Sequence, residues 1–600
     1  MKNIAMWPIL LYLLVGVCLS ADDWSVEERL PENTLFLVTF PDLQQSQTAL
    51  EETSIAKLLH DPQLQRVATE LITPYQELIA PYMMQYNQAV DQVQQIALGE
   101  VTIAITGMNR GGQIPVEAVI CVEIKSGMEM AQQGLAMLEG KVQQDEQGYH
   151  VDGMAHFKFI GNHLVAATSM ELLQQIEVGS GANLKNNASY QNTKSKVQKN
   201  HIPGVFIFIN THQLYQTFSP MIPKREVGLV KNLGIDKLNG IAMAVNIAGD
   251  HLHDAIFIDY PGNTVIKDLA TMLPVSQELL QNIPQNASLV LGLNFNLKDF
   301  LNKFEKLIIA VDPSGREIKG FRRELESGKR ELGIDIKNDL GTLFGEIGLF
   351  QYTNNTTGLF PHTILSAKCS DPITLGKLLG LLGKEANISS HKTSYRGNTL
   401  YYFSVNAKRR WGGYAREDEL IAMSLFFASM GFYFDNGYIY IGEVHSLKDY
   451  IQQREQSQDG ITSSKNFKNA MDRLSVKNPS FLMYQDVRSS LAAYWNLFLP
   501  MLRSLEGYAR AAGIPLDTAL LPDGETLANY FSPTGMGFTT TNEGLMLESY
   551  THMGGLKLAA LPIFAVFLIE EGLPYRQRRQ IKRSIGQLVE TLEDMIRRIK

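Results

Sequence analysis

The chain has 600 residues, of which 45% are hydrophobic and 19% are charged. This is the composition of ordinary globular protein, and it excludes disorder as the general state of the chain. The length predicts several domains, and the formal net charge of −8 gives no general reason to expect nucleic acid as a partner.

The first 21 residues have the layout of a secretory signal peptide. Lys2 provides a positive charge, residues 9–17 form an apolar run, and small residues around position 20 precede two aspartates. The run is short for a membrane span, which needs about 20 apolar residues. We therefore predict that residues 1–21 are removed and that the mature protein is exported, to the periplasm or the cell envelope.

Residues 28–265 are predicted to form a first α+β unit. A strand begins near Pro31, a helical stretch covers 62–98 with apolar residues at helical spacing, and 157–172 has the pattern strand, turn, strand, helix. Residues 240–260 then form a hairpin. Strands grouped as hairpins indicate an antiparallel sheet, with helices packed on one face.

A His-x-His pattern follows the turn of this last hairpin, in the order Asp250-His251-Leu252-His253-Asp254. Alternate residues of a strand face the same side, so His251 and His253 would present two imidazoles together. Both are candidate metal ligands, and a flanking aspartate would add an oxygen ligand or orient a ring. The alternative is a polar hairpin end that is exposed to solvent.

Residues 278–553 repeat the pattern of the first unit, which predicts an internal duplication. The segment 432–447 aligns without a gap on 157–172, and 284–291 is similar to 31–38. Both halves end in a hairpin, at 240–260 and 535–550. We therefore predict two tandem duplicated α+β units, 28–265 and 278–553.

Only the second unit has an insertion, at residues 406–430. It contains Lys408, Arg409, Arg410 and Trp411, which place three cations beside an indole ring. Arginine pairs with oxyanions and stacks on rings, so these four are candidate binding residues for an anionic glycan, a phospholipid headgroup or an acidic patch of a partner. The alternative is a solvated loop, because acidic residues follow at the other end of the insertion.

Residues 556–600 form a tail that differs from the rest. Its apolar run, 558–569, has twelve residues and falls short of a membrane span. The segment 575–600 has eight basic and three acidic residues, and its apolar residues recur at alternating spacings of four and three, as in one seam of a helix: Ile581, Ile585, Leu588, Leu592, Met595 and Ile599. Such a basic amphipathic helix suits an anionic membrane surface. Self-association and packing on the body are the alternatives.

No short motif of a known reaction is present. The sequence lacks a phosphate-binding GxxxxGK[ST] loop, a zinc-binding HExxH and a GxSxG elbow. Cys121 and Cys369 fall in different halves of the chain, which favours two buried thiols over a disulfide, and neither belongs to a Cys/His ligand set. No cofactor is therefore predicted.

Several of these segments resemble an exported bacterial family known as a domain of unknown function (DUF3352-like). Residues 30–36, Leu-Pro-Glu-Asn-Thr-Leu-Phe, are similar to the family's opening strand, and residues 53–62 to the segment that follows. The units at 157–172 and 432–447 are similar to its recurring hairpin and helix. The resemblance implies an envelope location and an α+β fold, and it implies no reaction and no functional residues.

Two hypotheses about function follow. The leading one is a non-enzymatic binding or scaffold module of the cell envelope, with a protein or glycan partner or with the membrane surface as partner of its tail. The rival is a periplasmic hydrolase or metal-dependent enzyme with a site between the two halves, involving His251 and His253. An enzyme requires polar side chains that converge in a concave site, whereas a scaffold requires an exposed patch or groove.

Overall fold

The computed structural model describes residues 24–73, 97–108, 116–126, 128–129, 143–145, 148–151, 155–179, 181–198, 201–221, 224–332, 335, 337–338, 344–353, 361–371, 388–405, 429–457, 459–511 and 517–552. The predicted signal peptide, the insertion residues Lys408, Arg409, Arg410 and Trp411, and the tail 556–600 lie outside these residues. The predicted α+β class is confirmed, with antiparallel strands and many helices.

The strands in chain order are β1 (Phe36–Phe40), β2 (Ala97–Met108), β3 (Val116–Ser126), β4 (Gln143–Asp145), β5 (Gly148–Val151), β6 (Ala155–Ile160), β7 (His163–Ala167), β8 (Ile202–Ile209), β9 (Gly240–Ala248), β10 (His251–Asp259), β11 (Ala287–Asn294), β12 (Phe344–Tyr352), β13 (His362–Cys369), β14 (Ile388–Tyr395), β15 (Asn398–Val405), β16 (Met430–Asp435), β17 (Tyr438–Glu443), β18 (Phe481–Gln485), β19 (Thr534–Thr540) and β20 (Gly544–Thr551).

The α-helices are α1 (Val26–Arg29), α2 (Leu43–Glu51), α3 (Ser54–Leu59), α4 (Pro62–Ile72), α5 (Met170–Val178), α6 (Ala188–Val197), α7 (Thr211–Phe218), α8 (Lys224–Leu233), α9 (Val265–Ala270), α10 (Gln277–Asn282), α11 (Leu297–Val311), α12 (Arg316–Leu332), α13 (Val444–Gln456), α14 (Lys465–Asp472), α15 (Val487–Ala511) and α16 (Gly524–Ala528). In the part of the chain that the structure describes, no helix is both long and apolar enough to cross a bilayer.

The chain divides into two compact units. Among the described residues, unit 1 contains 24–271, 472–477 and 486–552, and unit 2 contains 272–471 and 478–485. Unit 1 therefore includes the end of the second predicted repeat. The repeat boundaries 28–265 and 278–553 stay a prediction about the sequence.

Unit 1 contains an antiparallel sheet in the order β4-β5-β6-β7-β3-β2-β1-β8-β9-β10-β20-β19. Helix α6 packs on its β9 and β10. This helix begins where the Asn187 side chain accepts the N–H of Tyr190, a typical N-cap. The Tyr190 ring is buried and meets Phe206 and Phe208 edge-on, at centroid distances of 5.9 and 5.1 Å. These contacts fix the helix over the centre of the sheet.

Unit 2 contains an antiparallel sheet in the order β18-β11-β12-β13-β17-β16-β15-β14. Helix α13 packs on β16 and β17, and buried tyrosines fill the space between, with Tyr440 and Tyr450 at a centroid distance of 5.1 Å. The strand order equals that of β8-β1-β2-β3-β7-β6-β5-β4 in unit 1. This equality agrees with the duplication, which stays a prediction.

The predicted hairpins are confirmed where turn residues mark them. The segment 157–172 covers most of β6, all of β7 and the start of α5, and 432–447 covers most of β16, all of β17 and the start of α13. Gly161 has φ 60° in the first turn, and Asn436 and Gly437 have φ 47° and 76° in the second. Glycine and asparagine tolerate this left-handed region, which two-residue hairpin turns require.

The prediction of a helical stretch over 62–98 is wrong at its C-terminal end. Helix α4 covers Pro62–Ile72, with Pro62 at its first turn and the Asp61 carboxylate accepting the N–H of Gln63 and Leu64. Residues 74–96 lie outside the described part, and Ala97 and Leu98 already belong to β2, where Leu98 pairs with Ile124. Helical spacing of apolar residues could not reveal this change, because the pairing partner lies 26 residues further along the chain.

Candidate functional site

The two candidate metal ligands lie on β10 in unit 1. His251 is the first residue of the strand, and His253 stands opposite Asn246 of β9. Both side chains are completely buried, with an exposed fraction of 0%. The alternative of a solvent-exposed hairpin end is therefore wrong for these two residues. The strand on the other side of β10 is β20, where Tyr550 pairs with His253.

His253 is held by one partner on each ring nitrogen. The Asn246 amide nitrogen lies 3.1 Å from Nδ1 and also donates to the Val197 carbonyl at 3.2 Å. Nε2 lies 2.8 Å from Oε1 of Glu548. Because the amide donates to Nδ1, the geometry assigns the proton to Nε2, which donates to the carboxylate. The ring is thereby fixed in orientation and in tautomer.

Glu548 on β20 is a fully buried carboxylate with a complete set of donors. Its Oε2 accepts the Ser475 N–H at 2.7 Å, the Ser475 hydroxyl at 2.6 Å and the Val476 N–H at 3.3 Å. Burial opposes ionisation, but the hydrogen bonds from His253 and Ser475 outweigh it, and the pKa of Glu548 is lowered. The carboxylate therefore ties the 475–476 segment to β10.

His251 belongs to a second group of polar contacts at the same hairpin end. Its Nδ1 lies 2.6 Å from Oδ1 of Asp250, and its Nε2 lies 3.1 Å from the Pro533 carbonyl. Its ring stacks on His552 at a centroid distance of 4.3 Å. Burial of Asp250 works against ionisation, yet hydrogen bonds from His251 and Ser532 hold the pKa of this carboxyl well below its usual range.

Asp250, His251 and Ser532 are the residue types of a catalytic triad, but their connections differ. The Ser532 hydroxyl donates to Oδ2 of Asp250 at 2.5 Å and is 3.3 Å from Nε2 of His251. The proton of the Ser532 hydroxyl is therefore directed at the Asp250 carboxylate, and Nε2 of His251 does not accept it in this geometry. A nucleophilic serine requires an adjacent imidazole that accepts its proton. The arrangement does not provide one.

The structure gives no metal-binding group around the pair. No cluster of three or more His, Cys, Asp or Glu side chains placed to hold a metal occurs among the described residues. The ring nitrogens of His251 and His253 face protein partners. Metal binding by the two histidines stays a prediction, and their geometry offers it no support.

An open cavity of about 750 Å³ lies beside this network. Its lining residues are His201, Ile202, Ile247, Ala248, Gly249, Arg473 and Tyr550. Arg473 is exposed, and its Nη1 lies 2.8 Å from Nδ1 of His251. Nε2 of His201 lies 2.7 Å from the Tyr550 hydroxyl, and the Tyr550 ring stacks on His253 at 4.4 Å. The cavity thus joins a cationic, polar part to an apolar wall.

The Arg473 guanidinium contacts a histidine ring and forms no salt bridge among the described residues. Several lysines and arginines form ion pairs, such as Lys194 with Glu27 and Arg396 with Glu455. Arg473 forms no ion pair with a carboxylate of any residue that the structure describes. The nearby Asp250 carboxyl interacts with the charge of Arg473 without a salt bridge, so the guanidinium keeps hydrogen-bond donors at the cavity, as an anion-binding site requires.

Reasoning from the sequence located His251 and His253 but missed the residues that surround them. Glu548, Ser475 and Arg473 lie more than 200 positions further along the chain, and no local pattern marks them. These residues lie beside the two histidines because β20 pairs with β10 and because residues 472–477 belong to unit 1. Only a predicted pairing of the β9–β10 hairpin with the β19–β20 hairpin would have indicated these neighbours from the sequence.

Comparisons with known proteins assign no family. No protein-family model matches the chain, and no curated protein matches it. Among solved structures, crystal forms I and III of TP0453 match with TM-scores of 0.22 and 0.21, at 8% and 9% identity. The matches cover 41% and 42% of this chain and 82% and 86% of TP0453. At these TM-scores the likeness carries no argument about fold or function.

Proposed function

We propose that this chain is an exported cell-envelope protein that acts as a non-enzymatic binding module, with the cavity beside Arg473 as its ligand site. The observation that carries the proposal is the Arg473 guanidinium, which lines a cavity without a carboxylate partner among the described residues. The layout of residues 1–21 and the family resemblance support the location.

The lining residues indicate the chemistry of the ligand. Arg473, with His201 and the Tyr550 hydroxyl nearby, suits an oxyanion such as a carboxylate or a phosphate. Ile202 and Ile247 supply an apolar wall next to this polar part. Ligand cavities of proteins have this combination of apolar lining and a few polar groups that fix orientation. The ligand class is therefore a small amphiphile with one anionic end.

The contacts of the polar network favour binding over catalysis. A periplasmic hydrolase or metal-dependent enzyme would need an accessible base, a nucleophile or an open metal position. Glu548 and His253 are completely buried and hold each other, and Ser532 donates to Asp250. These groups orient the cavity wall. The rival enzyme hypothesis keeps only its sequence pattern as support.

Calorimetric titration of the mature full chain tests the ligand site. We expect binding of decanoate and of decyl phosphate, and no binding of the neutral decanol. Arg473→Gln should weaken the binding of both anions by about tenfold to a hundredfold, as for the loss of one charged hydrogen bond of about 1.5–3 kcal/mol. The control is Arg488→Gln, because Arg488 is also exposed and bonds to Asn529, outside the cavity lining.

Two results would contradict the proposal. Equal affinity of wild type and Arg473→Gln would remove the guanidinium as the anion-binding group. Equal affinity for decanol and decanoate would show that the cavity binds alkyl chains through apolar contacts alone. If decanoate and decyl phosphate bind with different affinities, the tighter one shows whether the natural ligand carries a carboxylate or a phosphate. Export is tested separately, by sequencing the N-terminus of the protein from a periplasmic fraction, which should begin after residue 21.

A further inference from the structure

Helix α15 of unit 1 has an apolar stripe that is exposed along four turns. Its members are Tyr494, Phe498, Met501, Leu505 and Tyr508, with exposed fractions of 37%, 51%, 56%, 52% and 78%. Contiguous exposed apolar patches are uncommon on soluble proteins and indicate an interaction surface. The stripe is separate from the cavity beside Arg473, so it calls for its own explanation.

The opposite face of α15 is fixed on unit 1. Leu499 is buried, and the indole N–H of Trp495 donates to the Pro522 carbonyl at 2.7 Å. Gly524 at the start of α16 approaches the helix so closely that a Cβ there would lie 2.8 Å from the Ala492 carbonyl. The helix is therefore held in one orientation, and the stripe points away from its own packing contacts.

The spacing of the stripe indicates what covers it. Its residues follow each other at intervals of four, three, four and three, which is the a/d pattern of a coiled-coil seam. A helix that packs on the core of a globular protein has a wider apolar face, of about 100° or more, whereas a strict a/d stripe is the narrower seam of a coiled coil. The narrow stripe therefore fits the seam of a second helix.

The chain itself contains a segment with the same spacing. Ile581, Ile585, Leu588, Leu592, Met595 and Ile599 follow at intervals of four, three, four, three and four. Ile581, the first apolar residue of this seam, lies 29 residues after His552, the last described residue of unit 1. That connection spans at most about 100 Å when fully extended, so its length does not prevent docking on α15. Being on the same chain also raises the effective concentration of the segment.

We propose that the C-terminal segment 575–600 docks as a helix on the α15 stripe of the same molecule. The six apolar residues of the tail would pack against the five residues of the stripe in knobs-into-holes fashion. The proposal selects, among the three roles predicted for the tail, packing on the body. It stands independently of the anion site, since neither Arg473 nor the cavity takes part.

Hydrogen–deuterium exchange of residues 494–508 in the mature full chain tests the proposal. The test variant is Leu588→Glu with Leu592→Glu, which places two charges in the seam. The control is Gln587→Glu with Thr591→Glu, which adds the same charges one position away. We expect exchange in α15 to become at least about fivefold faster in the seam variant and in a chain that ends at Gly555, and to stay unchanged in the control.

Three outcomes would overturn the proposal. Equal exchange in wild type, seam variant and truncated chain would show that the tail does not cover the stripe. Protection that appears only when light scattering gives a dimer mass would identify a second copy as the occupant. Protection that appears only with vesicles of phosphatidylglycerol and phosphatidylethanolamine would identify the membrane. Equal urea midpoints of wild type and variants verify that faster exchange is local.

Discussion

Glu548 accepts a hydrogen bond from His253 at 2.8 Å, and both side chains are completely buried between β10 and β20. The bond joins residues that lie 295 positions apart. The same carboxylate holds Ser475, and the His253 ring stacks on Tyr550 of the cavity lining. This one pair therefore fixes two sides of the proposed ligand site.

Replacing Glu548 with glutamine should destabilise unit 1. The substitution removes the charge that four donors surround, and it leaves the buried imidazole of His253 and the buried N–H of Val476 with weaker partners. Hydrogen bonds to a charged group contribute about 1.5–3 kcal/mol each, so we expect the isosteric amide to cost about 2–4 kcal/mol in total. Urea unfolding measures the difference. Glu543→Gln is the control, since Glu543 is exposed and pairs with Lys196, and a change below about 0.5 kcal/mol is expected.

Substituting Gly544 with alanine should disrupt the pairing of β20 with β10. A Cβ at this position would lie 1.9 Å from the Ile258 carbonyl oxygen, so the backbone would have to move. We expect a loss of about 2–4 kcal/mol in unfolding free energy. Gly507→Ala on α15 serves as the matched change, because a Cβ there meets nothing within 4 Å and alanine favours a helix by about 0.5–1 kcal/mol. Equal effects at both positions would contradict the pairing.

His163 on β7 should make stability depend on pH between about 6.5 and 4. Its side chain is buried against Trp24, at a ring-centroid distance of 4.0 Å, and burial lowers its pKa to about 4. The unfolded chain binds the proton near pH 6.5, so the stabilisation is present above that pH and decreases as pH falls towards 4. The slope attributable to this group is at most about 1.4 kcal/mol per pH unit.

The variant His163→Leu identifies this contribution. Urea unfolding at a series of pH values should show a flatter dependence between pH 6.5 and 4 than wild type shows. His60→Gln, at an exposed histidine, should leave the wild-type slope unchanged. If His163→Leu retains the full slope, the buried imidazole is not its source.

The two cysteines of the described chain should resist alkylation in the folded protein. Cys121 and Cys369 are free and buried, and burial raises the pKa of both thiols, so the reactive thiolate is scarce. We expect no reaction with iodoacetamide in native buffer and full reaction of both in urea, as measured by mass spectrometry of peptides. A mass increase of about 2 Da on reduction would instead reveal a disulfide and contradict this assignment.

Local patterns predicted the local structure well. Gly161 and the pair Asn436-Gly437 marked the two turns, and alternating apolar residues marked the strands beside them. The paired histidines drew attention to β10 because they share one strand. These features depend on residues within about ten positions of each other, where sequence and geometry are directly linked.

The partners of His251 and His253 could not be predicted in the same way. Glu548 and Arg473 reach them through strand pairing and loop placement over more than 200 positions. The sequence of β20 has no feature that specifies β10 as its neighbour, because many strands of this chain have the same alternation. Burial of His253 follows from that pairing, and local sequence patterns therefore could not predict it.

A crystal structure of the mature chain with 10-bromodecanoate would show where the anion binds, since the anomalous signal of bromine locates the alkyl end. We expect the carboxylate about 2.7–3.0 Å from the Arg473 guanidinium, with the alkyl chain along Ile202 and Ile247. A cavity that stays without ligand at saturating concentration, or a carboxylate bound elsewhere, would contradict the proposed ligand site.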